Sequence, residues 1–273
     1  MVSIIIINFN TPVLTAECVK SIQAKTSEID YEIIIVDNAS SDNSLVYFKE
    51  NISDCKIIES KKNSGFAAGN NLGIKHALGT EILLLNSDTT LLNNSVKITS
   101  EVLRSIASFG VVGARLEYPD GKIQRSCQPF PSAAKLFIEK LRLHKLFPLS
   151  VRSRIMQGFY FDYNHAGKPD WIWGTYFHFR KDLLNEFSDK KLPEDYFMYV
   201  EDMQWCYLIR RMGYEIVYEP SAKIIHHIGG SSGKRVGPMI ANQNDFVNRY
   251  YSWWKKGLLK LAGYNQFENT DEA

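Results

Sequence analysis

The chain has 273 residues, 45% hydrophobic and 23% charged, enough apolar material for one large domain or one with an elaborated C-terminal half. A formal net charge of +2 argues against nucleic acid as a partner, and four cysteines without CxxC spacing argue against a zinc site or a disulfide scaffold and fit a reducing cytoplasm. No apolar run reaches the length of a membrane span, and the apolar start over 2–7 is too short for a signal peptide and has no basic region before it.

Residues 2–7 (VSIIII) are β-branched and read as a buried first strand ending at Asn8-Phe9-Asn10. Thr11 then caps a helix with Pro12 in its first turn. Residues 31–36 form a second buried strand closing at Asp37-Asn38, and Ser41 or Asp42 caps a helix running to about Glu50. A third strand over 55–59 leads through Lys61-Lys62-Asn63-Ser64 into a helix carrying Gly65, Gly69 and Gly73. The fourth strand, opening at Glu81, breaks off in Asn86-Ser87-Asp88, and residues 111–116 form a further strand before a tight turn at Tyr118-Pro119-Asp120-Gly121. This alternation predicts a mostly parallel, doubly wound α/β sheet over about the first 115 residues.

Beyond it the pattern changes. Residues 132–155 are basic and apolar, residues 171–180 are aromatic and extended, and a helix starts at about Glu201 and stops at Gly213. Two short strands follow, over 214–218 and 223–227. One basic, aromatic, amphipathic helix covers 246–262, and 268–273 is expected to be disordered.

Parallel strand ends converge on one sheet edge, where open α/β sheets bind ligands. Asn8, Asn10, Asp37, Asn38, Asn86 and Asp88 all stand at such ends. An aspartate there can accept from a base or a ribose hydroxyl, and a hard oxygen ligand suits a cation on a diphosphate, although the same residues are also turn formers and caps. The three glycines share one helix face, which suits close approach by a ligand or by a neighbouring strand. No GxGxxG fingerprint or P-loop is present, which weakens nicotinamide and ATPase readings. Glu201 and Asp202 at a helix start serve either the helix dipole or general-base chemistry, and His226-His227 can be core, cap or metal ligand.

Taken in order, "SIIIINFNTP", "EIIIVDNASSDNS", "KNSGFAAGNNLGIKHALG", "EILLLNSDTTL", "WIWGTYFHFRKD", "YFMYVEDMQWCYLIRRMGYEIVYEP" and "AKIIHHIGGSS" resemble bacterial family 2 inverting glycosyltransferases, and more narrowly their rhamnosyltransferase-like branch. The resemblance spans about 2–232. It implies a GT-A fold: a Rossmann-like, mostly parallel central sheet flanked by helices, with a C-terminal acceptor-binding extension. The implied division is a nucleotide-sugar half over 1–115, an acceptor-binding and catalytic half over 116–240, and an amphipathic helix and tail over 241–273. It also implies a dTDP-, UDP- or GDP-linked sugar donor, dTDP-rhamnose first, with Mg²⁺ or Mn²⁺. The implied acceptor is a glycan or polyprenyl-diphosphate-linked glycan, in cell-surface polysaccharide synthesis. By the same likeness Asp37 holds the base, and Asn8, Asn10, Asn63, Gly69, Asn70, Asn86 and Ser87 surround the donor. Asp88, second acid of the DxD motif, and His226 hold the metal. Asp202 is the catalytic base, with Glu201, Trp173 and Gly174 beside sugar and acceptor. Two departures stand out: Asn86 replaces the first acid of DxD, and Gln204 replaces an aspartate common in the branch.

On this reading Asp202 deprotonates the acceptor hydroxyl in a single inverting displacement. The basic aromatic segment over 246–260 fits a helix at a membrane interface, a docked helix with a solvated face, or a face buried in a homodimer. The expected location is cytoplasmic, with the inner face of the membrane as the place such a helix would take it. Alternative functions are a non-catalytic subunit of a polysaccharide assembly complex, or a sugar nucleotidyltransferase, which would need a Gly-rich basic loop that Asn8-Phe9-Asn10-Thr11-Pro12 does not supply.

Overall fold

In the computed structural model, which describes residues 1–227 and 236–264, the first strand β1 (Val2–Asn8) runs down the middle of a parallel block. The chain continues through α1 (Pro12–Lys25), β2 (Tyr31–Asp37), α2 (Ser44–Asn51), β3 (Cys55–Glu59), α3 (Gly65–Lys75) and β4 (Glu81–Asn86). Then come β5 (Thr89–Leu91), α4 (Ser95–Ser105), β6 (Phe109–Glu117), β7 (Cys127–Gln128), α5 (Ala133–Lys140), α6 (Leu149–Met156), β8 (Trp171–Ile172) and β9 (Tyr176–Arg180). The last elements are α7 (Glu201–Arg211), β10 (Glu215–His226), α8 (Val236–Tyr250) and α9 (Trp253–Leu261). The sheet order is β3-β2-β1-β4-β9-β6-β10-β5, with β7 and β8 pairing separately. The fold is α/β, a mostly parallel central sheet flanked by helices, as expected.

The strands are apolar throughout because both sheet faces are covered. Ile5, Ile34, Ile82 and Leu84 enter one core, while Ile4, Ile6, Ile33, Ile35, Leu83 and Leu85 enter the other. Burying each such side chain contributes about 1.5–3 kcal/mol. The three-glycine face of α3 answers to packing. A Cβ on Gly73 would lie 2.5 Å from Ile5 Cγ2, one on Gly69 would lie 3.3 Å from Ile7 Cδ1, and one on Gly65 would lie 2.3 Å from the Phe197 carbonyl oxygen.

Four features differ from the pattern read in sequence. β6 does not lie beside β4; β9 lies between them, antiparallel to both, so a strand from after residue 170 completes the sheet. β5 is an added strand, antiparallel to β10. The two short strands after α7 are one, β10, whose register with β6 slips between Glu219 and Lys223, where Pro220 cannot donate to the ladder. The C-terminal helix is two, α8 and α9, broken at Tyr251-Ser252. Thr11 stands at the N-cap of α1, but its hydroxyl donates to Asn8 Oδ1 (3.2 Å) instead of capping the helix. The Gly-Gly-Ser-Ser end of the last motif and residues 268–273 lie outside the described residues.

Candidate active site

A cavity of about 520 Å³ opens at the carboxyl ends of β1 and β4. Asn63, Asn86, Ser87, Asp88, Trp173, Gly174, Glu201, Asp202 and His226 all line it, so one site gathers residues from both halves of the chain.

Strand pairing creates the Asp88–His226 contact. β5 and β10 align Thr89 with His226, and the His227 amide donates to the Asp88 carbonyl (2.8 Å). His226 Nε2 then stands 3.4 Å from Asp88 Oδ1. Gln124 fixes the ring: its Nε2 donates to the His226 carbonyl (2.7 Å), which turns its Oε1 toward His226 Nδ1 (2.8 Å). That bond assigns the proton to Nδ1 and leaves the Nε2 lone pair facing the carboxylate. Asp88 is buried, and its Oδ1 has no hydrogen-bond partner. Two lone-pair atoms facing each other in a buried corner fit a shared cation, whose ligands at about 2.1 Å from it would be about 3 Å apart. A histidine oriented by a hydrogen bond at its other nitrogen is the usual form of such a ligand. Among the described residues no third His, Cys, Asp or Glu joins them.

Asp202 stands in the first turn of α7 and lines the same cavity. Gly174 N–H donates to Oδ2 (2.9 Å) and Met203 N–H to Oδ1 (2.8 Å), fixing the carboxylate in the cavity. Burial pushes its pKa up to about 6 despite those bonds. Glu201 is buried beside it with Oε2 unpaired, and desolvation together with the Asp202 charge holds its carboxyl well above the ordinary range. A carboxylate poised near neutrality beside a neutral carboxylic acid can accept one proton and donate a different hydrogen bond. Tyr199 and Val200, just before α7, both adopt positive φ (67° and 78°). Asn242 of α8 donates to the Met198 and Tyr199 carbonyls (2.9 and 3.2 Å), which clamps that turn. Gln204 faces away from the cavity, bonded to Asp195 and Tyr250.

Five residues expected around the donor stand outside the lining. Asp37 is buried, accepting from Asn8 Nδ2 (2.7 Å), Ser40 Oγ (2.6 Å) and Ser40 N–H (3.1 Å). Asn8 is spent on that bond and on Thr15, whose hydroxyl donates to its Oδ1 (2.9 Å). Asn10 accepts from the Ser41 amide (2.8 Å) on the exposed rim. Asn70 donates to the Phe66 carbonyl (2.9 Å) inside α3, and Gly69 is closed off by Ile7 and Asn38. In their place Asn38, Phe9 and Phe66 reach the cavity, with Met239 and Gln243 from α8. Asn38 carried a signal as a strand-end residue. Gln124 and α8 carried none, since their roles depend on contacts more than 40 positions away.

The glycosyl transferase family 2 model matches residues 3–166, more than half the chain. The chain belongs to that family. Among curated relatives, a low-salt glycan biosynthesis hexosyltransferase of Haloferax volcanii is 27% identical over 217 residues, 77% of this chain and 61% of that protein. The chain thus spans about three fifths of that relative's length. An N-acetylglucosaminyl-diphospho-decaprenol L-rhamnosyltransferase of Mycobacterium tuberculosis is 20% identical over 250 residues, 85% of this chain and 80% of that protein. The fold is shared with a mannosyltransferase from Pyrobaculum calidifontis solved with GDP-Man and Mn²⁺ (TM-score 0.58, 17% identity, 96% of this chain, 73% of that one). It is also shared with GalNAc-T7 solved with UDP, GalNAc and Mn²⁺ (TM-score 0.67, 16% identity, 93% of this chain, 49% of that one). The family 2 sheet is therefore a GT-A sheet, and its cavity lies at the strand ends as in other α/β folds.

Proposed function

We propose that the chain is a divalent-metal-dependent inverting glycosyltransferase that moves a sugar from a nucleoside diphosphate to a hydroxyl of a glycan or lipid-linked glycan. The observation that carries this is that one cavity is lined by both the Asp88–His226 pair and the Asp202 carboxylate. Family membership supplies the reaction class. Asp88 and His226 would hold the cation, which would supply positive charge to offset that on the departing diphosphate. Asn38, Asn63 and Phe9 form the nucleoside end. Asp37, committed to Asn8 and Ser40, keeps two strand ends in place beneath it. Asp202 takes the proton of the acceptor hydroxyl as that oxygen attacks the anomeric carbon from the face opposite the diphosphate, and neutral Glu201 donates to a sugar hydroxyl.

For the donor, dTDP-rhamnose stands first, because the Mycobacterium relative is a rhamnosyltransferase; GDP- and UDP-sugars follow from the ligands of the two structural neighbours. The same relative supports a polyprenyl-diphosphate-linked acceptor, and the glycan biosynthesis hexosyltransferase of Haloferax volcanii supports a place in polysaccharide synthesis. The test is nucleoside diphosphate release from a panel of dTDP-, UDP- and GDP-sugars with Mn²⁺ and a short glycan acceptor. One donor should turn over, and chelation or Asp202→Asn should stop it. No turnover and no donor-induced rise in melting temperature across the panel would leave the non-catalytic reading standing.

A further inference from the structure

The helix α9 has two apolar faces, and the protein covers one. Leu259 and Ala262 point inward and are buried. Trp254, Leu258 and Leu261, spaced four and three apart, form a second stripe on the outside, and Trp253 at the helix start is 83% exposed. Helix α5 packs along α9, and the turn after it adds Leu141 and Leu146, the latter 78% exposed. Large apolar side chains in this number on one surface mark an interaction site rather than scattered exposure. Lys255 and Lys260 border the exposed arc that runs from Trp253 to Leu258, Lys256 lies farther round the helix, and Lys140, Arg142 and Lys145 border the turn. Among the described residues none of these six cations is in an ion pair. The whole chain is only +2, so the charge is concentrated here.

We propose that α9, with α5 and the turn after it, docks on an anionic lipid surface. Tryptophans at the start of an amphipathic helix with lysines beside its apolar stripe match the headgroup boundary, where the rings meet acyl chains and the ammonium groups meet lipid phosphates. A second copy of this chain is a poorer occupant, because a twofold interface would bring the same six cations face to face. Among the described residues no helix is long and apolar enough to cross a membrane. The apolar cluster that seats Leu259 also holds Val200 and Met203 of the cavity wall, which places the membrane beside the acceptor end of the site. The proposal does not depend on which acceptor or donor is used.

The test is flotation of the intact chain with vesicles of phosphatidylcholine alone or mixed with phosphatidylglycerol. Binding is expected only to the anionic vesicles, and it should weaken with salt. The Lys255→Glu/Lys256→Glu/Lys260→Glu variant should lose at least about tenfold in affinity. Trp253→Ser/Trp254→Ser/Leu261→Ser should lose as much while keeping the wild-type melting temperature and donor-induced shift. Absence of flotation at low salt, or equal binding by either variant, overturns the proposal. So does a dimer in light scattering that the Trp/Leu variant converts to monomer.

Discussion

His226 Nε2 faces Asp88 Oδ1 at 3.4 Å across the β5–β10 pairing, and Gln124 holds the imidazole in place from behind. If the pair seats a cation, Asp88→Ala should remove the metal dependence of donor binding altogether. Gln124→Leu, which touches neither cation nor donor, should weaken metal affinity by about 10–100-fold by releasing the ring. Calorimetric titration of Mn²⁺ and of donor with and without Mn²⁺ reads both; equal donor affinity in the two conditions for the wild type would refute the assignment.

Asp202→Asn should lower transfer by about 10²–10⁴-fold while donor binding is kept. With the Asp202 carboxyl at about 6, kcat/KM should rise with pH through that value as the base becomes available. Stability moves the other way. A carboxyl raised above its ordinary 3.8 favours folding below that value, and this contribution is lost as pH rises toward 6. Asp202→Asn should therefore be more stable than wild type above pH 6, by roughly 1–3 kcal/mol, with the gap closing in acid. Thermal melts across pH check the sign.

Glu201→Gln separates the two neighbouring carboxyls. A group held in its protonated form is mimicked by an amide, so this variant should keep transfer within about tenfold of wild type, against the far larger loss at Asp202. Because the carboxyl it replaces is already uncharged, the rising limb of the pH profile should stay close to its wild-type position. A loss as large as that of Asp202→Asn would exchange the two roles.

Gly65→Ala tests how α3 is seated. Gly65 has φ +87°, and a Cβ there would lie 2.3 Å from the Phe197 carbonyl oxygen. The Phe66 amide donates to that same oxygen (2.9 Å), so the loop bearing Met198 and Tyr199 must shift. A loss of about 1–3 kcal/mol in denaturant unfolding is expected, with weaker donor binding.

By itself the sequence determined the parallel strands β1 to β4 and the polar side chains that stand at their ends, because those signals are local. A run such as residues 82–85, too short for a helix core, reads as a strand buried on both faces, and the polar cluster at its end falls at the sheet edge. Tertiary structure decided the rest. β9 entered between β4 and β6, β10 ran unbroken through Pro220, and Gly73 and Gly69 of α3 packed against Ile5 and Ile7. Asp37 had the same strand-end signature as Asp88. One became buried under Asn8 and Ser40, and the other kept an unpaired oxygen before His226. The difference comes from neighbours 29 and 138 positions away, and only the folded chain brings them together.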